Sequence, residues 1–135
     1  MPIASILLVK GHPAEQLDRV IAGVTEVMAR VTKAPRTTVW IEEIEPQRWA
    51  AQGVAAAELL RTKPIHEIDS PLVTVIMIKG RPVEQHHRLI EGITGVLVEA
   101  LRLEPMAVRV NVQETPAESF GIGGQPASVL FARMK

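Results

Sequence analysis

The sequence predicts an α/β fold in the α+β sense: tandem β-α-β units forming a four-stranded sheet with two helices on one face. Three observations predict it. The opening Pro2-Ile3-Ala4-Ser5-Ile6-Leu7-Leu8-Val9-Lys10-Gly11 returns 69 residues later as Pro71-Leu72-Val73-Thr74-Val75-Ile76-Met77-Ile78-Lys79-Gly80. Each opening is an apolar run rich in branched side chains, the pattern of a strand covered on both faces. Each is followed by a stretch with helical spacing and then by a shorter strand-like stretch.

The elements follow in order. Residues 3–9 are the first strand and Gly11 ends it. His12-Pro13 starts a helix, with Pro in the first turn, where a missing N–H does no harm. Glu15 suits the positive end of the helix dipole. Leu17, Val20, Ile21, Val24, Val27, Met28 and Val31 form one apolar stripe, and Lys33 and Pro35 close the helix. Residues 37–44 form a strand with Val39 and Ile41 on one face and Thr38, Trp40 and Glu42 on the other. Trp49 to Gly53 is a short tail. The first unit therefore spans residues 2–53. Residues 54–70 read as a linker: helical turns around 55–61, a stop at Thr62-Lys63-Pro64, then an extended run from Ile65 to Ser70.

The second unit, residues 71–135, repeats the plan. A strand over 72–78 leads through Gly80-Arg81-Pro82 to a helix beginning near Val83. Val108-Arg109-Val110 aligns with Val39-Trp40-Ile41, and Glu114 with Glu45. Val108, Val110 and Val112 alternate with Arg109, Asn111 and Gln113, so Arg109 belongs on the face away from the helix. Phe120-Gly121-Ile122-Gly123-Gly124 is a hairpin signal. The outer sheet face stays apolar in both opening strands, which predicts an obligate oligomer.

Composition excludes several classes of function. A net charge of zero argues against a nucleic-acid or anionic-membrane binder. There is no cysteine, so disulfides and thiolate metal sites are ruled out; that fits a reducing cytoplasm. The apolar opening is too short for a signal peptide or a membrane span. Neither a cofactor nor a metal is expected. His86-His87 lack further ligands and read as surface or interface residues. His12 reads as a helix cap.

Pro2 is the singular residue. Removal of Met1 would give it a free secondary amine at the start of a strand, a base that Pro71 cannot supply because its nitrogen lies in a peptide bond.

Together, the proline starts, Gly80-Arg81, Val108-Arg109-Val110, Glu114 and Phe120-Gly121-Ile122-Gly123-Gly124 resemble the 4-oxalocrotonate tautomerase relatives of the tautomerase superfamily. The chain resembles a fused member, two tautomerase units in one chain. The first unit departs from the pattern, with His12 and Trp40 where the family carries arginines. The resemblance implies a cofactor-independent isomerase, a cytoplasmic keto–enol tautomerase of aromatic catabolism. Its substrates would be 2-hydroxymuconate-like or phenylenolpyruvate-like acids. Pro2 would be the general base. Arg109 and Arg81 would grip the carboxylate substrate and assist catalysis, and Phe120 and Ile78 would line the substrate site. Ile78, three positions before Arg81, is not arginine, which favours tautomerisation over dehalogenation. A homotrimer, a pseudo-hexamer of units, would assemble each site from neighbouring units, with Arg81 from the same chain as Pro2. The competing expectation is a non-catalytic oligomeric or small-ligand-binding module of the same fold.

Overall fold

A computed structural model describes residues 1–133. Strand β1 (Ile3–Val9) is followed by helix α1 (Ala14–Thr32) and strand β2 (Thr38–Ile44). A hairpin follows, β3 (Ala50–Ala51) with β4 (Val54–Ala55), then two short helices, α2 (Ala56–Leu59) and α3 (Ile65–Ile68). The second half supplies β5 (Leu72–Ile78), α4 (Val83–Leu101), β6 (Arg109–Thr115), the hairpin β7 (Gly121–Ile122) and β8 (Gln125–Pro126), and α5 (Ala127–Arg133). The main sheet has the order β2-β1-β5-β6. β1 and β5 are antiparallel neighbours, and each pairs in parallel with the second strand of its own half.

Both long helices start just after a proline and end on a residue in the left-handed conformation, Lys33 or Arg102. Val20, Val24, Val27, Met28 and Val31 of α1 are buried, as are Leu89, Ile93, Leu97 and Leu101 of α4. This 3.6-residue stripe meets Ala4, Ile6 and Leu8 of β1 and Val73, Val75 and Met77 of β5 in one core. The helices cross where both halves carry glycine. A Cβ on Gly23 would lie 2.6 Å from Val96 Cγ1, and one on Gly92 would lie 2.7 Å from Val27 Cγ1. The two contacts are images of one another under the repeat.

Three sequence expectations need correction. Ile65–Ile68 is helical, not extended. Ile65 and Ile68, one helical turn apart, join the apolar cluster of Val9, Ala56 and Trp49, and Pro64 starts this turn as its N-cap after ending the preceding one. His12 does not cap α1; the cap position is Pro13, and His12 is buried against Asp69. Arg109 does not align with Trp40. Ile3 pairs with Thr38 and Leu72 with Arg109, so the counterpart of Arg109 is Thr38. Two extra residues between α4 and β6 produce the shift.

From there the halves run at a separation of 71. Gln52-Gly53 and Gly123-Gly124 both take positive φ, as a tight two-residue hairpin turn requires. Ala56 N donates to Trp49 O, and Ala127 N to Phe120 O. The first hairpin thus reaches into residues that read as linker, and Leu60 becomes the counterpart of Phe131. Among the described residues, no helix is long and apolar enough to cross a membrane.

Candidate active site

The antiparallel pairing of β1 with β5 matches Ile3 with Ile76, so the start of one opening strand lies beside the end of the other. A cavity of about 240 Å³ opens there, lined by Met1, Pro2, Met77, Ile78, Lys79, Gly80, Arg81 and Phe131. Pro2 is buried and Met1 is partly exposed.

Arg81 is half-buried and held by two bonds from one nitrogen. Its Nη1 donates to Thr32 O at 2.8 Å and to Gln85 Oε1 at 3.2 Å. Thr32 is the last residue of α1, whose carbonyl end carries the negative pole of the helix dipole and suits a cation. Both bonds use Nη1, so the rest of the five-donor guanidinium fork remains for a ligand. The amine at the chain's start sits close enough to feel this charge. Burial, and then the Arg81 cation, hold the Met1 ammonium below its ordinary pKa.

Pro2, Ile78 and Arg81 therefore meet within one chain. Arg109 and Phe120 lie outside that cavity. Arg109 pairs with Leu72, at the opposite end of β5, and its Nη2 donates to Ser70 O at 2.7 Å. Four residues of strand separate Leu72 from Ile76, on the order of 13 Å before Pro2 itself is counted. Arg109 is exposed on the edge strand β6, on the sheet face away from the helices. Phe120 is half-buried at the start of the second hairpin. Phe131, which the sequence reading passed over, provides the aromatic wall instead. Its counterpart Leu60 belongs to the apolar cluster that holds Val9, the counterpart of Ile78. Trp40 is exposed on the outer sheet face, its Nε1 donating to Glu42 Oε2 at 3.0 Å. His86 Nε2 lies 3.7 Å from Glu114 Oε2, and His87 is exposed.

The opposite end of the β1–β5 pair repeats these pieces. Val9, Lys10, Gly11 and His12 stand where Ile78, Lys79, Gly80 and Arg81 stand, and Pro71 stands where Pro2 stands. The space over this end's glycine is taken by the connector. Ile65 Cδ1 lies 2.9 Å from where a Gly11 Cβ would be, whereas Gly80 has nothing within 4 Å. Val9 is fully buried with Ile68, Leu60 and Ile65.

Comparison with known proteins agrees with this layout. The family model described as tautomerase enzyme matches twice, over residues 2–58 and 71–129. A 2-hydroxymuconate tautomerase of Pseudomonas putida is 36% identical over 63 residues, which is 45% of this chain and all of that protein. One from Comamonas testosteroni is 38% identical over 60 residues, 44% of this chain and 95% of that protein. Among solved structures, a native fused 4-OT superposes with a TM-score of 0.83 at 27% identity, covering 96% of this chain and 98% of its own. A fused 4-OT described as an asymmetric trimer superposes at 0.81, with 24% identity, 95% of this chain covered and 98% of its own; it speaks to the fold alone.

Proposed function

The chain belongs to the tautomerase enzyme family and is an isomerase, and from that premise we propose that it interconverts the enol and keto forms of unsaturated 2-hydroxy and 2-keto acids, using the Pro2 amine as general base once Met1 has been removed. The single observation that carries this reading is buried Pro2 bordering a cavity with Arg81, where the ammonium of Met1, one residue earlier, is held below its ordinary pKa by burial and then by the Arg81 cation. An amine in that state is neutral at a pH where a solvated one keeps its proton, and a base works best with a pKa near the working pH.

The neutral amine takes the proton of the dienol hydroxyl. The electron pair left on oxygen forms the carbonyl, the conjugated double bonds shift, and the ammonium returns the proton to a carbon further along the chain. No cofactor enters, and atoms balance within one substrate. Arg81 binds one carboxylate of the substrate through its free edge. It also offsets charge that builds on the dienolate. Ile78 and Phe131 supply apolar walls. Arg109 reaches the other end of the substrate only from a neighbouring chain, so the working unit is an oligomer, a homotrimer of the two-unit chain. Relatives named 2-hydroxymuconate tautomerase suggest a dicarboxylate dienol.

Intact mass of the purified protein tests the premise of the base: loss of Met1 is expected, and a retained Met1 removes the prolyl amine from the mechanism. Pro2→Ala should lower kcat/KM for 2-hydroxymuconate at least about tenfold while the oligomer persists by light scattering. An unchanged rate refutes the role.

A further inference from the structure

The geometry points to a second carboxylate-binding site at the closed end of the sheet, permanently occupied by the chain's own Asp69. His12 Nε2 donates to Asp69 Oδ2 at 2.6 Å, and the backbone N–H of Val9 donates to Asp69 Oδ1 at 3.2 Å. Each carboxylate oxygen thus has its own donor. The side chains are 1% and 0% exposed. A buried carboxylate is tolerated only with such partners.

The donors are not arbitrary. His12 holds the place in the first half that Arg81 holds in the second, and Val9 holds that of Ile78. The counterparts of both border the open cavity. At the closed end the equivalent space is filled by the segment from Ile65 to Asp69, with Ile65 against Gly11 and Ile68 against Val9. Asp69 therefore presents a carboxylate to the residue that replaces the carboxylate-reading arginine. As part of the same chain, it is present at an effective concentration that a free carboxylate does not match. The ligand class for this site is a small carboxylate, and Asp69 excludes it.

The test uses the full-length chain and formate as the probe. Arg81→Ala is included in every protein, so that formate at the open end does not contribute; the inference thereby stands or falls apart from the catalytic reading. Asp69→Ala in that background should lower Tm by on the order of 10 °C, because a buried donor pair loses its partner. Added formate should then raise Tm in a saturable way, beyond sodium chloride of equal ionic strength, while the Asp69-containing protein shows no such gain. Should the alanine variant fail to fold, Asp69→Ser, whose hydroxyl keeps a polar atom in the site, is titrated in its place. Adding His12→Gln should abolish the formate response. Equal responses with and without Asp69, or none in either variant, overturn the assignment.

Discussion

At one end of the β1–β5 pair Ile78 borders a cavity; at the other its counterpart Val9 is fully buried. The strands, the glycine that ends each and the proline that begins each helix are shared. Three differences separate the ends. Arginine at 81 stands against histidine at 12. A free chain start stands against Ser70-Pro71 in mid-chain. Open space over Gly80 stands against Ile65 over Gly11. The repeat gives the sheet two equivalent ends, and the connection between the halves fills one of them. The connector that links β4 and α2 to β5 has to pass that end, and it packs there with an apolar helical turn and a buried carboxylate. What distinguishes a candidate site from a structural joint here is a dozen residues of connector, not the fold.

The largest expected effect sets the two ends against each other. Arg81→Ala should lower kcat/KM by about a hundredfold, the scale of losing a charge-assisted substrate contact together with part of the base's activation. It should also displace the pH profile in a defined direction. Burial and then the Arg81 cation lower the pKa of the Met1 amine, and a freed Pro2 amine in the same cavity meets the same cation. Without it the pKa rises, and the acidic limb of kcat/KM moves to higher pH. His12→Ala should do the reverse in kind: turnover per folded protein stays near wild type, while unfolding in urea shows a loss of about 3 kcal/mol or more from the orphaned Asp69. If His12→Ala shifts the pH profile and Arg81→Ala does not, the assignment of open and closed ends is inverted.

A smaller effect concerns the place where the halves remain alike. Gly23→Ala gains about 1 kcal/mol of helix propensity. It also drives a methyl to 2.6 Å from Val96, whose branched side chain has little rotamer freedom in a helix. Overpacking of this kind costs about 1–3 kcal/mol. A net loss of up to about 2 kcal/mol is therefore expected in chemical denaturation, with no change in KM. Gly92→Ala should match it through Val27, because the contact is repeated. Pairing Gly23→Ala with Val96→Ala should recover most of the loss. Unequal costs at the two glycines would mean that the asymmetry of the sheet ends reaches into the helix crossing.

Much of the fold was legible because the repeat was written in strongly apolar, strongly periodic stretches. The 3–9 and 72–78 runs, and the stripes of both long helices, are the residues that build the core. The end-to-start meeting of Pro2 and Arg81 came with the family resemblance, because periodicity alone does not say that β1 and β5 lie antiparallel. The connector was not legible. Ile65 and Ile68 fit a helical turn as well as a strand, and four residues are too few for periodicity to decide. The partnership of His12 with Asp69 spans 57 residues and leaves no mark in local pattern. The two-residue offset in β6 was hidden because alternation survives an even shift, keeping Arg109 on the correct face while misplacing its counterpart. Phe131 has no turn motif beside it to mark it, whereas Phe120 opens the Phe120-Gly121-Ile122-Gly123-Gly124 hairpin.

The smallest effect isolates how Arg81 is aimed. Its Nη1 has two acceptors, the Thr32 carbonyl and the Gln85 side chain. The first is backbone and survives any side-chain change nearby; the second does not. Gln85→Ala removes one hydrogen bond to a partly buried cation, a net contribution of about 1 kcal/mol. If the guanidinium reads a substrate carboxylate, that loosening should appear mainly as a rise in KM of about fivefold, with kcat changed less. Gln85→Glu should raise KM further, because a carboxylate beside Arg81 competes with the substrate for the same charge, as Asp69 occupies His12 at the other end. Steady-state kinetics on both variants decides between positioning and bulk. A Gln85→Glu enzyme with wild-type KM would mean that Arg81 does not bind the substrate's carboxylate, and the contrast between an open and a self-occupied end would lose its chemical basis.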